Sequence, residues 1–207
     1  HRTLTSTQDG QYRFDRLLAG AYTLTVTLPE SAMFTLPGGD SQFTDGYAFS
    51  QSVTLNVTTG EATAARPIGV MDATTLEIRF YHDLNADGTL DAGDLPFSGA
   101  TAEILDAQGN VLLTAASDND GVARFPVLRG GDNSIRCTLP DGQVFTIAGD
   151  ENDFVSLAAQ SAITLERALP HGQASTLYAG VTLPAQITGT LFLDQNVSGV
   201  MDSGEHG

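Results

Sequence analysis

The chain contains no lysine and no tryptophan, and only one cysteine, Cys137. One thiol cannot form an intramolecular disulfide, so a cross-linked mini-scaffold is excluded. All nine basic residues are arginine, set against 25 acidic ones, for a formal charge of −16 and a pI near 4.2. Binding a phosphate backbone or an anionic membrane needs clustered positive charge, so nucleic-acid partners are not expected. No apolar run approaches the roughly 20 residues of a membrane-spanning helix, and no membrane insertion is expected in this segment. His1-Arg2-Thr3 does not open a signal peptide. What remains is 207 residues, 41% of them apolar, which is enough for a packed core and too apolar for a disordered acidic tail. Twenty-two glycines, frequent threonine and short apolar pieces between polar turns favour strands over a helical bundle.

The chain also repeats itself. At a shift of 111 residues Asp9-Gly10 falls on Asp120-Gly121, Arg13-Phe14 on Arg124-Phe125, Leu17 on Leu128 and Gly20 on Gly131. Thr27-Leu28-Pro29 falls on Thr138-Leu139-Pro140, Phe34-Thr35 on Phe145-Thr146, and Gly69-Val70 on Gly180-Val181, with no gap needed. A 111-residue unit laid on 207 residues predicts a window cut from a longer tandem array. Residues 1–74 read as a partial repeat lacking its first strands and 75–184 as a complete one. Residues 185–207 read as the first strand and loop of the next. Cys137 stands where the other copy has Val26, as a small buried apolar residue would; a reactive thiol is the lesser alternative.

Within the central unit, Leu76, Ile78 and Phe80 alternate with Glu77, Arg79 and Tyr81, the period of a half-buried strand. Further strands are expected over 100–105, 111–115, 122–128, 134–139, 144–147, 162–165 and 175–181, separated by turns such as 117–121 and 129–132. No ten-residue segment carries a helical period. The fold expected is all-β: tandem immunoglobulin-like or transthyretin-like (prealbumin-like) β-sandwich repeats of about 111 residues.

Candidate chemistry concentrates in two loops. The first places Asp83, Asn85, Asp87, Asp91 and Asp94 at loop positions 1, 3, 5, 9 and 12, with Gly88 at 6 and the Thr89 carbonyl at 7. This is the spacing of a calcium-binding loop: alternate residues of a tight coil point inward, glycine permits the bend, and the twelfth closes the shell. The second has Asp194, Asn196, Ser198, Asp202 and Glu205 in the same places, with Gly199 at 6 and the Val200 carbonyl at 7. Asp94 is shorter than the usual closing glutamate and Ser198 carries no charge, so both sites are expected to be weak and to fill where calcium is abundant, outside cells. A single such loop is also what a solvated acidic turn looks like; two of them, each after an apolar run, favour a metal. Both flanks, 76–81 and 186–193, read as strands, which argues against an ion that opens a helix pair.

Strand, D-x-N-x-D-G-x-x-D-x-G-D/E loop, then Asp118-Asn119-Asp120-Gly121 with Phe125, then Leu17-Leu18-Ala19-Gly20-Ala21-Tyr22 together resemble the B-type repeat of serine-aspartate-repeat surface adhesins, the SdrD B-like domain, related to Cna B-type domains. The resemblance implies a seven-stranded sandwich stacked into rods on bacterial surfaces, with Ca2+ held by the two loops. It admits further sites at Asp118, Asp120 or Asp150-Glu151-Asn152-Asp153, where a solvated turn is an equal alternative. Cna B-type domains can close a lysine–asparagine isopeptide bond; without lysine that staple is excluded.

No nucleophile elbow, P-loop, dinucleotide fingerprint, HExxH or CxxC occurs, and His82 and His171 lie at a strand end and in a turn. The expectation is no enzyme, but a structural calcium-binding spacer of an extracellular or bacterial cell-surface filament. Its partners would be neighbouring repeats or successive protomers. The alternative is an adhesin module with a protein or carbohydrate ligand; an accessory module of an extracellular enzyme is more remote.

Overall fold

The computed structural model describes residues 1–35, 39–43, 47–156, 158–203 and 205; Gly204, His206 and Gly207, part of the second loop segment, lie outside them. Every regular element among the described residues is a strand. In chain order they are β1 (Gly20–Thr27), β2 (Ala32–Phe34), β3 (Ser50–Val57), β4 (Val70–Asp72), β5 (Thr74–His82), β6 (Leu95–Pro96) and β7 (Thr101–Leu105). Then follow β8 (Val111–Ala116), β9 (Val122–Leu128), β10 (Gly131–Thr138), β11 (Val144–Phe145), β12 (Ala162–Leu169) and β13 (Ala174–Thr182).

Residues 74–182 form a β-sandwich. One sheet runs β12-β10-β7-β8; the other runs β11-β13-β5, with β9 along the start of β5 and β6 along its end. The first and last strands, β5 and β13, pair in parallel from Thr75↔Ala174 to His82↔Val181, while the rest of the sandwich pairs antiparallel. The period-2 pattern sets which face is buried. Leu76, Ile78 and Phe80 enter the core and meet Ile135 and Cys137 from the facing sheet. Cys137 is fully buried, and that burial, with Glu103 nearby, pushes its thiol pKa up, away from the thiolate a reactive cysteine needs.

Tyr81 departs from the alternation. Expected outside with Glu77 and Arg79, it is buried, because segment 146–153 crosses that side of the sheet and the Tyr81 hydroxyl donates to the Glu151 carbonyl at 3.0 Å. Strand β6 was not legible in the sequence, since two residues show no period; its Pro96 stands at a sheet edge, where a missing N–H is tolerated. The expected turn over 129–132 is shorter than read: β10 already begins at Gly131.

Residues 1–73 reproduce several local devices of the sandwich. The Gly10 and Gly121 amides close the same turn onto Thr7 and Asp118, whose side chains accept the Gln11 and Val122 amides at 3.1 and 3.0 Å. Tyr22 Oη donates to the Leu18 carbonyl at 2.9 Å, and Asn133 Nδ2, 111 residues later, to the Arg129 carbonyl at 3.1 Å. The β2–β4 register, Phe34↔Val70, matches Phe145↔Val181 at the same shift. The correspondence is not gapless, however. Gly20 faces Val57, whereas Gly131 faces Leu169, so β3 and β12 correspond at 112 residues. A one-residue slip would exchange the faces of the strand, so the inward pattern of Gln51 and Val53 falls on Ile163 and Leu165 only with the extra residue.

Two expected strands are not formed. The apolar run 186–193 is extended but pairs with nothing among the described residues, and Ile187 and Leu191 are 100% and 91% exposed. Residues 11–17, the counterpart of β9, are likewise outside any sheet. In both cases the reason is a missing neighbour: β9 is a strand because β5 lies beside it, and no described segment plays that part for 11–17. For the same reason Leu24 and Val26 stay half-buried on β1, while their counterparts Ile135 and Cys137 on β10 are sealed by the opposite sheet. The joint between the two parts is short. A single residue, Ala73, separates β4 from β5; its amide donates to Ser31 O at 2.9 Å, and Thr74 Oγ1 donates to Pro170 O at 2.8 Å.

Candidate metal centre

The first loop follows β5 directly and is folded by its own carboxylates. Asp83 Oδ1 and Oδ2 accept the amides of Asp87 and Gly88 at 3.2 and 2.8 Å. Asp94 closes the loop, accepting the Leu84 amide at 3.1 Å and the Asp91 amide at 2.9 Å. Asn85 accepts the Asp87 amide and donates Nδ2 to Asp87 at 2.8 Å and Asp91 at 3.2 Å, while the Thr89 amide bonds Asp87 Oδ1 at 2.9 Å. Gly88, at φ +78, makes the bend, and Ala86 enters the left-handed region as well.

The second loop repeats these bonds in place. Asp194 accepts the Ser198 and Gly199 amides at 3.0 and 2.7 Å, and Glu205 accepts those of Gln195 and Asp202 at 2.8 and 3.0 Å. Asn196 Nδ2 donates to Asp202 at 2.7 Å, Val197 takes the left-handed place of Ala86, and Gly199 that of Gly88. Ser198 Oγ lies 3.1 Å from both the Val200 carbonyl and Asp202 Oδ2, and its one proton serves one of them at a time. All the expected side chains of each loop are therefore gathered into one network.

Among the described residues, however, no three acidic, histidine or cysteine side chains converge as ligands of one ion. The carboxylates are turned outward along the ring, onto backbone N–H groups, and the Asn85 and Asn196 amides fill the space between them. The donor chemistry fits a hard cation: every candidate is an oxygen, and a carboxylate oxygen holding one N–H keeps a second lone pair. Turning the two asparagine amides would present their oxygens inward.

The loops differ in their surroundings. Asp83 is 1% exposed and takes a third bond, from Thr146 Oγ1 at 2.6 Å, while Gly88 lies against the backbone of Ile147–Gly149 so closely that a Cβ would stand 2.6 Å from Ile147 O. Asn152 pins that segment, donating to Ile147 O at 2.8 Å and accepting the Phe154 and Gly180 amides at 3.3 Å. Nothing stands within 4 Å of a Cβ on Gly199. The carboxylates leave an electrostatic trace on Tyr81, whose phenol pKa is raised first by burial and then by Asp83, Asp94, Glu151 and Asp87.

Thr146 and the 146–152 segment were not singled out as part of the site. The signal available was the recurrence of Phe-Thr at 34–35 and 145–146. Two of the further expected sites are occupied with structural bonds. Asp118 accepts the Asp120 and Val122 amides and pairs with Arg124, and Asp153 accepts Arg167 at 2.7 Å and the Tyr178 amide at 2.8 Å. His82 packs edge-on against Phe97, ring centroids 5.0 Å apart, and His171 lies against Gly130.

Residues 76–179 match the family described as SdrD B-like domain. Among curated proteins, the chain is 29% identical over 157 residues, 75% of its length, to Colossin-A of Dictyostelium discoideum, of which it covers 1%. It is 26% identical over 219 aligned positions, across its whole length, to serine-aspartate repeat-containing protein D of Staphylococcus aureus (strain Newman), of which it covers 16%. Of the solved structures, the Bacillus anthracis TIE protein aligns with 86% of this chain and 28% of its own, at 20% identity and a TM-score of 0.37. The chain thus spans a small part of the curated relatives it matches.

Proposed function

The chain belongs to the SdrD B-like domain family, and from that membership we propose that it is a non-catalytic spacer of a cell-surface or secreted bacterial protein, built from tandem β-sandwich units and stiffened at its joints by calcium. In this reading residues 75–184 are one complete unit, with parts of neighbouring units on either side. Asp83, Asn85, Asp87, Asp91, Asp94 and the Thr89 carbonyl hold one ion; Asp194, Asn196, Ser198, Asp202, Glu205 and the Val200 carbonyl hold the other. Bound calcium would neutralise clustered carboxylates whose mutual repulsion otherwise opposes the compact loop.

One observation carries the reading: the first loop sits on the exit of the sandwich. The Asp83 amide donates to Val181 O at 2.9 Å, one residue before β13 ends. Ala86 shares a shallow hollow of about 250 Å3 with Leu183, Pro184 and Ala185, the residues that leave β13. An ion holding this loop would hold the outgoing chain with it. At the entrance, the single residue Ala73 leaves little slack for hinging. The supporting experiment is a thermal melt with calcium and with chelator; a common midpoint would overturn the calcium role. Small-angle scattering of the same samples tests stiffness, and freely hinged units in calcium would overturn the spacer.

A further inference from the structure

The unpaired tail and the open front of this chain are complementary. Residues 185–193 carry Ile187, Gly189 and Leu191 where β5 carries its core residues Leu76, Ile78 and Phe80, yet Ile187 and Leu191 stand in solvent. Residues 11–17 carry Tyr12, Arg13, Phe14 and Leu17 at the positions of β9, without the strand that β9 has. We propose that residues 185–205 of one copy insert as a strand and loop into the front part of a second copy, between residues 11–17 and 63–70, and so join chains head to tail.

The sandwich supplies the template for every contact. β5 pairs with β9 through Leu76↔Phe125 and Glu77↔Arg124, which sets Ile187 opposite Phe14 and Thr188 opposite Arg13 of the second copy. β5 pairs in parallel with β13 through Phe80↔Ala179 and His82↔Val181, which sets Leu191 beside Ile68 and Leu193 beside Val70. Pro67 lacks an N–H, but it stands where Tyr178 stands, and the Tyr178 amide is turned away from β5 to Asp153, so the strand loses no bond there. Thr35 waits where Thr146 donates to Asp83, and would meet Asp194 of the incoming loop.

Charge points the same way. The front part carries Arg2, Arg13, Arg16 and Arg66, whereas the tail carries Asp194, Asp202 and Glu205 and no basic residue through 205. Insertion would cover Ile187 and Leu191 and give residues 11–17 a partner for their backbone groups, which an open edge otherwise leaves to solvent. It supplies the β5 counterpart only, and the outer edge of β1 stays open.

The test is the mass of the 207-residue chain by sedimentation over a hundredfold concentration range, in calcium. The expected result is concentration-dependent dimers and longer head-to-tail species, abolished by Ile187→Glu with Leu191→Glu; both sites are exposed in the single chain, so the substitutions leave the sandwich folded. Mixing the single variants Thr188→Cys and Arg13→Cys under mild oxidation should give a mixed disulfide dimer. A monomer throughout, association that survives the two glutamates, or the absence of the mixed dimer would each overturn the proposal.

Discussion

Replacing Asp83 by alanine separates what the first loop does by itself from what the tertiary structure adds. The carboxylate is almost wholly buried and accepts three hydrogen bonds, from the Asp87 and Gly88 amides and the Thr146 hydroxyl. Its removal leaves the Gly88 amide and Thr146 hydroxyl without acceptors, and an unsatisfied buried donor costs about 1–3 kcal/mol. Relief of the buried charge's desolvation offsets part of this, so the net loss in chelator is about 3 kcal/mol. For a sandwich of this size that corresponds to a midpoint lowered by roughly 10–20 °C. In calcium the wild type gains a further ~2.7 kcal/mol at 100 times the dissociation constant, and the variant forgoes it. Asp194→Ala is the control: it stands at the same loop position, but its hydrogen bonds are exposed and no threonine reaches it. It should leave the chelator midpoint within the scatter of the melt. Thermal unfolding by circular dichroism of the three proteins, with calcium and with chelator, reads both terms. Equal midpoints for the two variants in chelator would refute the argument, because the predicted asymmetry comes from burial alone.

A second contrast concerns the glycines of the two bends. Gly199→Ala should cost only the strain of a side chain at positive φ, about 1 kcal/mol, since nothing adjoins it. Gly88→Ala adds contacts of 2.6 Å to Ile147 O and 2.8 Å to the Ala148 carbonyl carbon, and should cost at least about 3 kcal/mol by urea titration; equal costs would remove the 147–149 segment from the site. Acid sensitivity is a third. Asp106 is held below the ordinary aspartate pKa first by the Asn110 side chain, and Asp118 first by the Val122 amide. A carboxylate depressed in the folded state contributes stability that is present above its unfolded value near 3.9 and is lost as pH falls through the folded value. Carbon-13 NMR titration of the two side chains should give midpoints below ~3.9; a midpoint at or above it would contradict the turn geometry.

Much of the fold was legible because short antiparallel strands are set by local chemistry. The period-2 run of β5, the Asp118–Gly121 turn and the 122–128 span of β9 follow from spacing alone, and the structure places them there. The loops were equally legible: all their candidate side chains fall into one network each. The failures share a cause. The 186–193 run has a strand's composition but no partner, and Tyr81 sits on the face its period assigns to solvent yet is covered from 65–72 residues downstream. The one-residue offset between β3 and β12 was hidden because sequence matches on either side of it keep the 111 register.

By itself, then, the sequence determined the strand pattern, the acidic loops and their spacing, and the exclusion of disulfide and isopeptide staples, since these depend on residue type and local geometry. The tertiary structure alone decided which copy of each device is completed. Asp83 is buried and Asp194 is not, Cys137 is sealed and Val26 is not, and 122–128 is a strand while 11–17 is not. Burial and strand pairing are properties of what lies alongside a segment, and two segments of nearly the same composition differ once only one of them has its neighbour.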